Sequence, residues 1–206
     1  MALKTCLFDL GNVLLFFSHD LMCRQVGEVM GRTEAEVKAA LLETDMQIRF
    51  ETGQATAAEI HAHFDKLFGS NTALPEFEHA ISAIFELNEP MIPLLDELKS
   101  AGIRLVLLSN TCSSHFEYAK RTYDFLDKFD DFTLSYAAGA MKPSPRIYED
   151  AISRIQCEPQ ECFYTDDIAE YVYAAQDFGL NAAVFKNAEA TREELINLGA
   201  PLDRHA

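Results

Sequence analysis

The stretch Cys6-Leu7-Phe8-Asp9-Leu10-Gly11-Asn12-Val13-Leu14 decides how this chain folds. It is a short apolar run that ends in a carboxylate and then a small turn residue. A run of this kind suits a strand buried in the middle of a sheet, covered on both faces. An Asp at its end then stands at the carboxyl edge of the sheet, where open α/β folds bind ligands. Taken alone, Asp9 reads equally well as the cap of a following helix. Three later stretches settle the choice, because they supply the groups that a functional Asp needs.

Beyond this strand, expected over residues 5–8, the next strand-like run begins at Arg104. The residues between them, about seventy, read as helices and are too many for an ordinary crossover. Ser18 can cap a helix that uses Met22, Val26, Val29 and Met30 and stops at Gly31. Thr33 with Glu36, and Thr56 with Glu59, have capping-box spacing. Pro75 opens one more helix, with Phe77, Ile81, Ile84 and Phe85 on its apolar side. Residues 17–87 therefore form a compact helical insertion, and residues 1–16 and 88–206 form the core domain. In the core a helix begins after Pro90 and closes at Gly102. Strands are expected over 104–108, 132–134, 162–164 and 181–185, with helices between them and a last helix opening on the box Thr191 to Glu194. Strands that alternate with helices imply an α/β fold, a parallel sheet flanked by helices with right-handed crossovers.

The 206 residues carry 33 acidic against 17 basic side chains, a net charge of −16. Such a surface repels nucleic acid and anionic membranes, and neither is expected as a partner. An anionic substrate needs local positive charge, most simply a metal ion and a Lys. The five cysteines form no C-x-x-C and read as reduced thiols. His61 and His63 are two residues apart, so they do not share a helix face as metal ligands. Residues 1–17 are apolar, but Asp9 interrupts them and no small-x-small cleavage site follows. No apolar run is long enough to span a bilayer. The expectation is a cytoplasmic protein, monomeric or homodimeric.

All strands of a parallel sheet point the same way, so their carboxyl ends share one edge. Asp9, Ser109, Asn110, Asp166 and Asp167 stand at such ends, and Lys142 lies in a loop that can reach them. This is the set that phosphoryl transfer requires. A carboxylate nucleophile attacks phosphorus, and hard oxygen ligands hold Mg²⁺, which lets two anions approach. A Ser hydroxyl and backbone N–H groups bind phosphate oxygens. A Lys stabilises the charge of the transition state.

These residues resemble the four motifs of the haloacid dehalogenase (HAD) superfamily. Phe8-Asp9-Leu10-Gly11-Asn12-Val13 is similar to motif I, and Leu108-Ser109-Asn110-Thr111 to motif II. Lys142-Pro143 is similar to motif III, and Tyr164-Thr165-Asp166-Asp167 to motif IV. The resemblance covers nearly the whole chain and implies a HAD-like Rossmannoid sheet, with the helical insertion as a C1 cap over the site. It implies Asp9 as nucleophile and metal ligand, the carbonyl of Gly11 as a second ligand and Asp166 as a third, with Asp167 beside the metal. It further implies that Ser109 and Lys142 bind the phosphoryl group, supported by Asn110. The cofactor it implies is Mg²⁺.

Two positions depart from the pattern. Family phosphatases usually carry a second Asp two residues after the nucleophile, which protonates the leaving group. Here that residue is Gly11, as in a subgroup that resembles α-D-glucose-1-phosphate phosphatases. An Asn often found four residues after the motif IV pair is replaced by Tyr171. His19 and Asp20, where the chain enters the insertion, are candidates for the missing acid and for substrate contact, or else form a solvated helix start. Arg49 could face an anionic substrate or a surface carboxylate. Cys112 reads as a small buried thiol, and His115 as either a helix-start residue or a pocket wall. The function expected is a Mg²⁺-dependent phosphatase of a small phosphorylated metabolite, such as a sugar phosphate. A 2-haloacid dehalogenase and a non-catalytic binding protein are the alternatives.

Overall fold

The computed structural model describes residues 3–203 of the chain. The strands are β1 (Thr5–Phe8), β2 (Leu15–Phe17), β3 (Phe85–Leu87), β4 (Arg104–Ser109), β5 (Asp131–Leu134), β6 (Cys162–Asp166) and β7 (Asn181–Val184). In the described residues β5-β4-β1-β6-β7 form a five-stranded sheet, and every pairing in it is parallel. β1 is central, with Leu7 level with Val106 on one side and Tyr164 on the other. Its four residues are all buried, which is why it reads as an unbroken apolar run.

The pleat sorts the sheet's side chains into two cores. Cys6, Phe8, Leu105, Leu107 and Phe163 face one layer, with Leu94 and Leu98 of α6 (Met91–Ser100), Phe116 of α7 (Ser113–Thr122) and Leu195 of α11 (Ala188–Asn197). Leu7, Val106, Leu108, Cys162 and Tyr164 face the other, with Ile147, Tyr148 and Ala151 of α9 (Pro145–Arg154) and Ala175 of α10 (Ala169–Asp177). Alternate residues of one strand thus serve opposite layers. Each fully buried Leu or Phe contributes about 1.5–3 kcal/mol.

Between β2 and β3 lie α1 (His19–Met30), α2 (Glu34–Leu42), α3 (Met46–Glu51), α4 (Ala57–Phe68) and α5 (Leu74–Ser82). Ser18 accepts from the Leu21 N–H, and Gly31 ends α1 in a left-handed conformation at φ 67°. Both capping boxes form, Thr33 with Glu36 on α2 and Thr56 with Glu59 on α4. These helices share a buried cluster of their own, with Val26, Val37, Ile60, Phe64 and Phe77 at its heart. No helix among the described residues is long and apolar enough to cross a membrane.

Several elements differ from the sequence expectation. β2 and β3 pair antiparallel, Leu15 opposite Leu87, and bracket the helical segment. Each has three residues, too few to show alternation, so only the long-range pairing reveals them. The short helices α3 and α8 (Ser135–Ala138) also leave too little periodicity to read. β6 runs on to Asp166 instead of ending at Tyr164. The last helix begins at Ala188, not at Thr191; Asn187 caps it, accepting from the Ala190 N–H, and the Thr191 hydroxyl bonds back to the Asn187 carbonyl at 3.0 Å.

Candidate active site

The carboxyl edge of the sheet gathers a buried ionic cluster. Asp9 follows β1, Asp166 ends β6, and Lys142 reaches between them from the loop before α9. The Lys142 Nζ donates to Asp9 Oδ1 at 2.7 Å, to Asp166 Oδ2 at 2.6 Å and to the Leu108 carbonyl at 3.1 Å. Its three protons are thereby used, and the side chain is 1 % exposed. Burial works against the Lys142 charge, but the two carboxylates more than offset it and hold its pKa above the usual lysine value. The remaining oxygen of Asp166 accepts from the Ile168 N–H at 2.8 Å, and Tyr164 Oη donates to Asp166 Oδ2. Tyr164 thus fastens the motif IV carboxylate from below.

The Lys142 backbone is held by Asn110, whose Oδ1 accepts from the Lys142 N–H at 2.7 Å and whose Nδ2 donates to its carbonyl at 3.1 Å. Asn110 therefore ties the end of β4 to the loop that delivers the ammonium. Ser109, the last residue of β4, is 1 % exposed by area yet lines the same cavity as Asp9 and Lys142. That cavity has a volume of about 300 Å³.

Asp167 stands beside the pair. Asn12 adopts φ 55°, a left-handed conformation that Asn tolerates, and its Nδ2 donates to Asp167 Oδ2 at 3.0 Å. Tyr171 stands where the family pattern has an Asn, and an amide reaches Asp167 from the motif I turn. Asp9, Asp166 and Asp167 each offer one oxygen, all within 4.8 Å of one another. Burial raises the Asp9 carboxyl to about 7; Lys142 pulls it down and Asp166 pushes it up. With all three carboxylates ionised, one ammonium leaves two negative charges, and hard oxygen donors of this kind fit Mg²⁺.

Gly11 lines the cavity, and a Cβ there would meet Phe17 Cε1 at 2.8 Å, so a side chain at this position requires the ring to shift. Asp20 does not enter the site. It lies in the first turn of α1, where its carboxylate pairs with Lys38 at 2.7 Å and is 66 % exposed. A helix rotates successive side chains by about 100°, so His19, though exposed, lines the cavity, while Asp20 does not. Arg49 does not line the cavity either, but Gln47 and Glu51 of the same helix α3 do. Gln47 Nε2 donates to Glu51 Oε1 at 2.9 Å, and burial raises the Glu51 carboxyl above the usual range. Sequence reasoning passed over Glu51 because nothing local marks it; α3 is too short to show a face. His115 is a wall of the cavity, with Nε2 donating to the Ile81 carbonyl at 3.0 Å. Burial lowers its pKa to about 4, so it is neutral.

The family description "haloacid dehalogenase-like hydrolase" matches residues 3–179. The chain belongs to the haloacid dehalogenase-like hydrolases. Among curated relatives of this hydrolase, a D-ribitol-5-phosphate phosphatase of Bacteroides thetaiotaomicron is 27% identical, covering 94% of this chain and 97% of its own. A sesquiterpene phosphatase of Aspergillus oryzae is 26% identical, covering 95% and 96%. A HAD family enzyme of Bacteroides thetaiotaomicron, solved with magnesium and inorganic phosphate, has the same fold: TM-score 0.80 at 22% identity, over 90% of this chain and 96% of that one. This hydrolase therefore has the family's fold, with its own Asp9, Lys142 and Asp166 joined by direct hydrogen bonds at the sheet edge.

Proposed function

We propose that this hydrolase is a Mg²⁺-dependent phosphatase that cleaves a small phosphorylated metabolite through an aspartyl-phosphate on Asp9. The observation that carries the reading is the buried cluster itself. It holds a nucleophile, a fixed cation and three carboxylate oxygens within 4.8 Å. A haloacid dehalogenase needs no metal, and for it the Asp166–Asp167 pair would only repel an anionic substrate.

Asp9, Asp166, Asp167 and the Gly11 carbonyl are the groups that would hold Mg²⁺, which neutralises phosphate charge when bound. Ser109 binds a phosphoryl oxygen, the Lys142 charge stabilises the phosphoryl group from its place between Asp9 and Asp166, and Asn110 keeps Lys142 in place. An Asp9 oxygen attacks phosphorus, the P–O bond to the leaving group breaks, and the leaving oxygen takes a proton. With no acid at position 11, that proton is assigned to Glu51, which lines the cavity and whose carboxyl burial raises above its ordinary value. Water then attacks the phosphorus of the aspartyl-phosphate and gives its proton to the Glu51 carboxylate, and the P–O bond to Asp9 breaks. Inorganic phosphate is released, and the Asp9 carboxylate and the Glu51 acid are restored.

Residues 17–87 act in this reading as the cap, and residues 1–16 with 88–206 as the catalytic core. Free cysteines, all five of them, suit a cytoplasmic enzyme acting as a monomer or homodimer. A cavity of about 300 Å³ suits a small ester, a sugar phosphate included; the leaving group is chosen by the helical segment. The test is phosphate release from a panel of monoesters, with Mg²⁺ and after EDTA. Metal-dependent release that disappears in Asp9→Asn is expected. Release at full rate after EDTA, or release of halide from 2-chloropropionate, would overturn the proposal.

A further inference from the structure

The opposite edge of the sheet, where the strands begin, carries a cluster that the reaction at Asp9 does not use. Cys157 follows α9 and Cys162 opens β6, and their Sγ atoms lie 3.3 Å apart. The chain brings them together in two steps. Gln156, at φ 58°, turns the chain in a left-handed conformation just after α9. A single 3₁₀ turn over Pro159–Glu161 then spans the gap, with Glu161 accepting from the Glu158 N–H at 3.2 Å and pairing with Lys4 at 2.8 Å. Each thiol also has an oxygen partner. Cys157 Sγ donates to Thr5 Oγ1 at 3.4 Å, and Cys162 Sγ donates to the Glu158 carbonyl at 3.6 Å. Cys162 is 0 % exposed, whereas Cys157 is half-buried, between the exposed Gln156 and Glu158.

We propose that Cys157 and Cys162 form a reversible oxidation site, in which a peroxide oxidises Cys157 and Cys162 then closes a disulfide. A disulfide bond is about 2.05 Å long, so the sulfurs need to approach by about 1.3 Å. Cys157 stands in a loop, where the chain adjusts more readily than in a strand. Exposure sets the order of events. Peroxide reaches Cys157 first, because Cys162 is enclosed, and burial and the neighbouring thiol hold its pKa above the ordinary thiol value. The Cys157 sulfur attacks one oxygen of hydrogen peroxide, the O–O bond breaks, and a sulfenic acid and one water result. The Cys162 sulfur then displaces the hydroxyl. The S–S bond forms, the S–O bond breaks, and the Cys162 proton leaves with the hydroxyl as a second water. The two thiols have given up two electrons and two protons, and the peroxide has become two waters. A dithiol reductant reverses the change. A lone thiol at position 157 would have no such return, because a sulfenic acid without a resolving partner goes on to sulfinic acid. Asp9 and Asp166 lie at the other ends of β1 and β6, so the bond forms away from the catalytic cluster, whatever the reaction there.

The test is oxidation of the full chain by millimolar hydrogen peroxide, then alkylation of the remaining thiols under denaturing conditions and mass measurement without reduction. The protein is expected to become lighter by about 2 Da, the two hydrogens lost. Cleavage after Glu161 separates the two cysteines, so their peptides should stay joined only through the disulfide. The buried Cys6, Cys23 and Cys112 should still alkylate. Closing a six-residue loop constrains the unfolded chain, and the thermal midpoint should rise by about 5 °C and fall back on reduction. Cys162→Ala removes the resolving thiol, so dimedone should then trap Cys157 as the sulfenic acid. Cys157→Ser, in the loop, should leave Cys162 reduced at the same dose of peroxide. An unchanged mass in the parent protein would overturn the proposal. So would a parent Cys157 that becomes sulfinic acid while Cys162 still alkylates, or a Cys162 that oxidises at the parent's rate in Cys157→Ser. The parent measurement needs no variant and stays decisive if Cys162→Ala fails to fold.

Discussion

The ring of Phe17 lies 2.8 Å from the position that a Cβ on Gly11 would take. A side chain at the position where the family pattern carries a second Asp thus meets an aromatic edge. Gly11→Asp alone should lower stability by about 1–3 kcal/mol, the usual cost of overpacking, without raising activity. Combined with Phe17→Ala the same substitution gains room, and kcat/KM on an alkyl phosphate should rise. Thermal unfolding and phosphate release check both halves. A more active Gly11→Asp of unchanged stability would show that the ring yields freely.

Asp9→Asn should leave the fold intact and reduce hydrolysis on the order of 10⁴-fold or more, because an amide is no nucleophile toward phosphorus. The folded state raises the Asp9 carboxyl to about 7, so it favours the neutral form, which the amide resembles. Without metal, the ionised form of Asp9 costs stability as pH rises from about 4 to about 7. Asn at position 9 removes that slope. Denaturation of metal-free parent and variant between pH 4 and 8 reads it directly, and parallel curves would contradict it.

Mg²⁺ requires the ionised Asp9, so binding should expel a proton in proportion to the fraction still protonated. Affinity should therefore strengthen with pH, by up to about tenfold per unit below 7, and level above it. Calorimetry in buffers of different ionisation enthalpy gives both the affinity and the proton count. Affinity independent of pH from 5.5 to 7 would mean that Asp9 does not touch the metal.

Glu51→Gln keeps the hydrogen-bonding shape at the cavity wall but removes the acid. General acid catalysis typically contributes 10²–10⁴-fold, so turnover of an alkyl phosphate should fall at least about 100-fold. Turnover of p-nitrophenyl phosphate, whose leaving group needs no proton, should change little. Parent activity on the alkyl ester should decline as pH rises through the raised Glu51 pKa, and the variant should lack that limb. Asp20→Ala is the control, expected to stay within about twofold because its ion pair with Lys38 is on the surface. Equal losses on both esters in Glu51→Gln would rule out acid catalysis.

What the sequence determined by itself is the part built from local rules. The apolar run before Asp9, the capping boxes at Thr33 and Thr56, and the order of Ser109, Lys142 and Asp166 each depend on a few neighbouring residues. A parallel sheet then carries strand ends to one edge whatever the details, so Asp9, Lys142 and Asp166 could be grouped before any distance was known. Tertiary structure decided the rest, because the deciding contacts span many residues of chain. The pairing of Leu15 with Leu87 creates β2 and β3. Asn12 supports Asp167 from 155 residues away. The ring of Phe17 fills the space beside Gly11. The turn of α1 sets His19 and not Asp20 at the cavity, and the short α3 delivers Glu51, because side-chain direction depends on where a helix is anchored and not on which residues it contains.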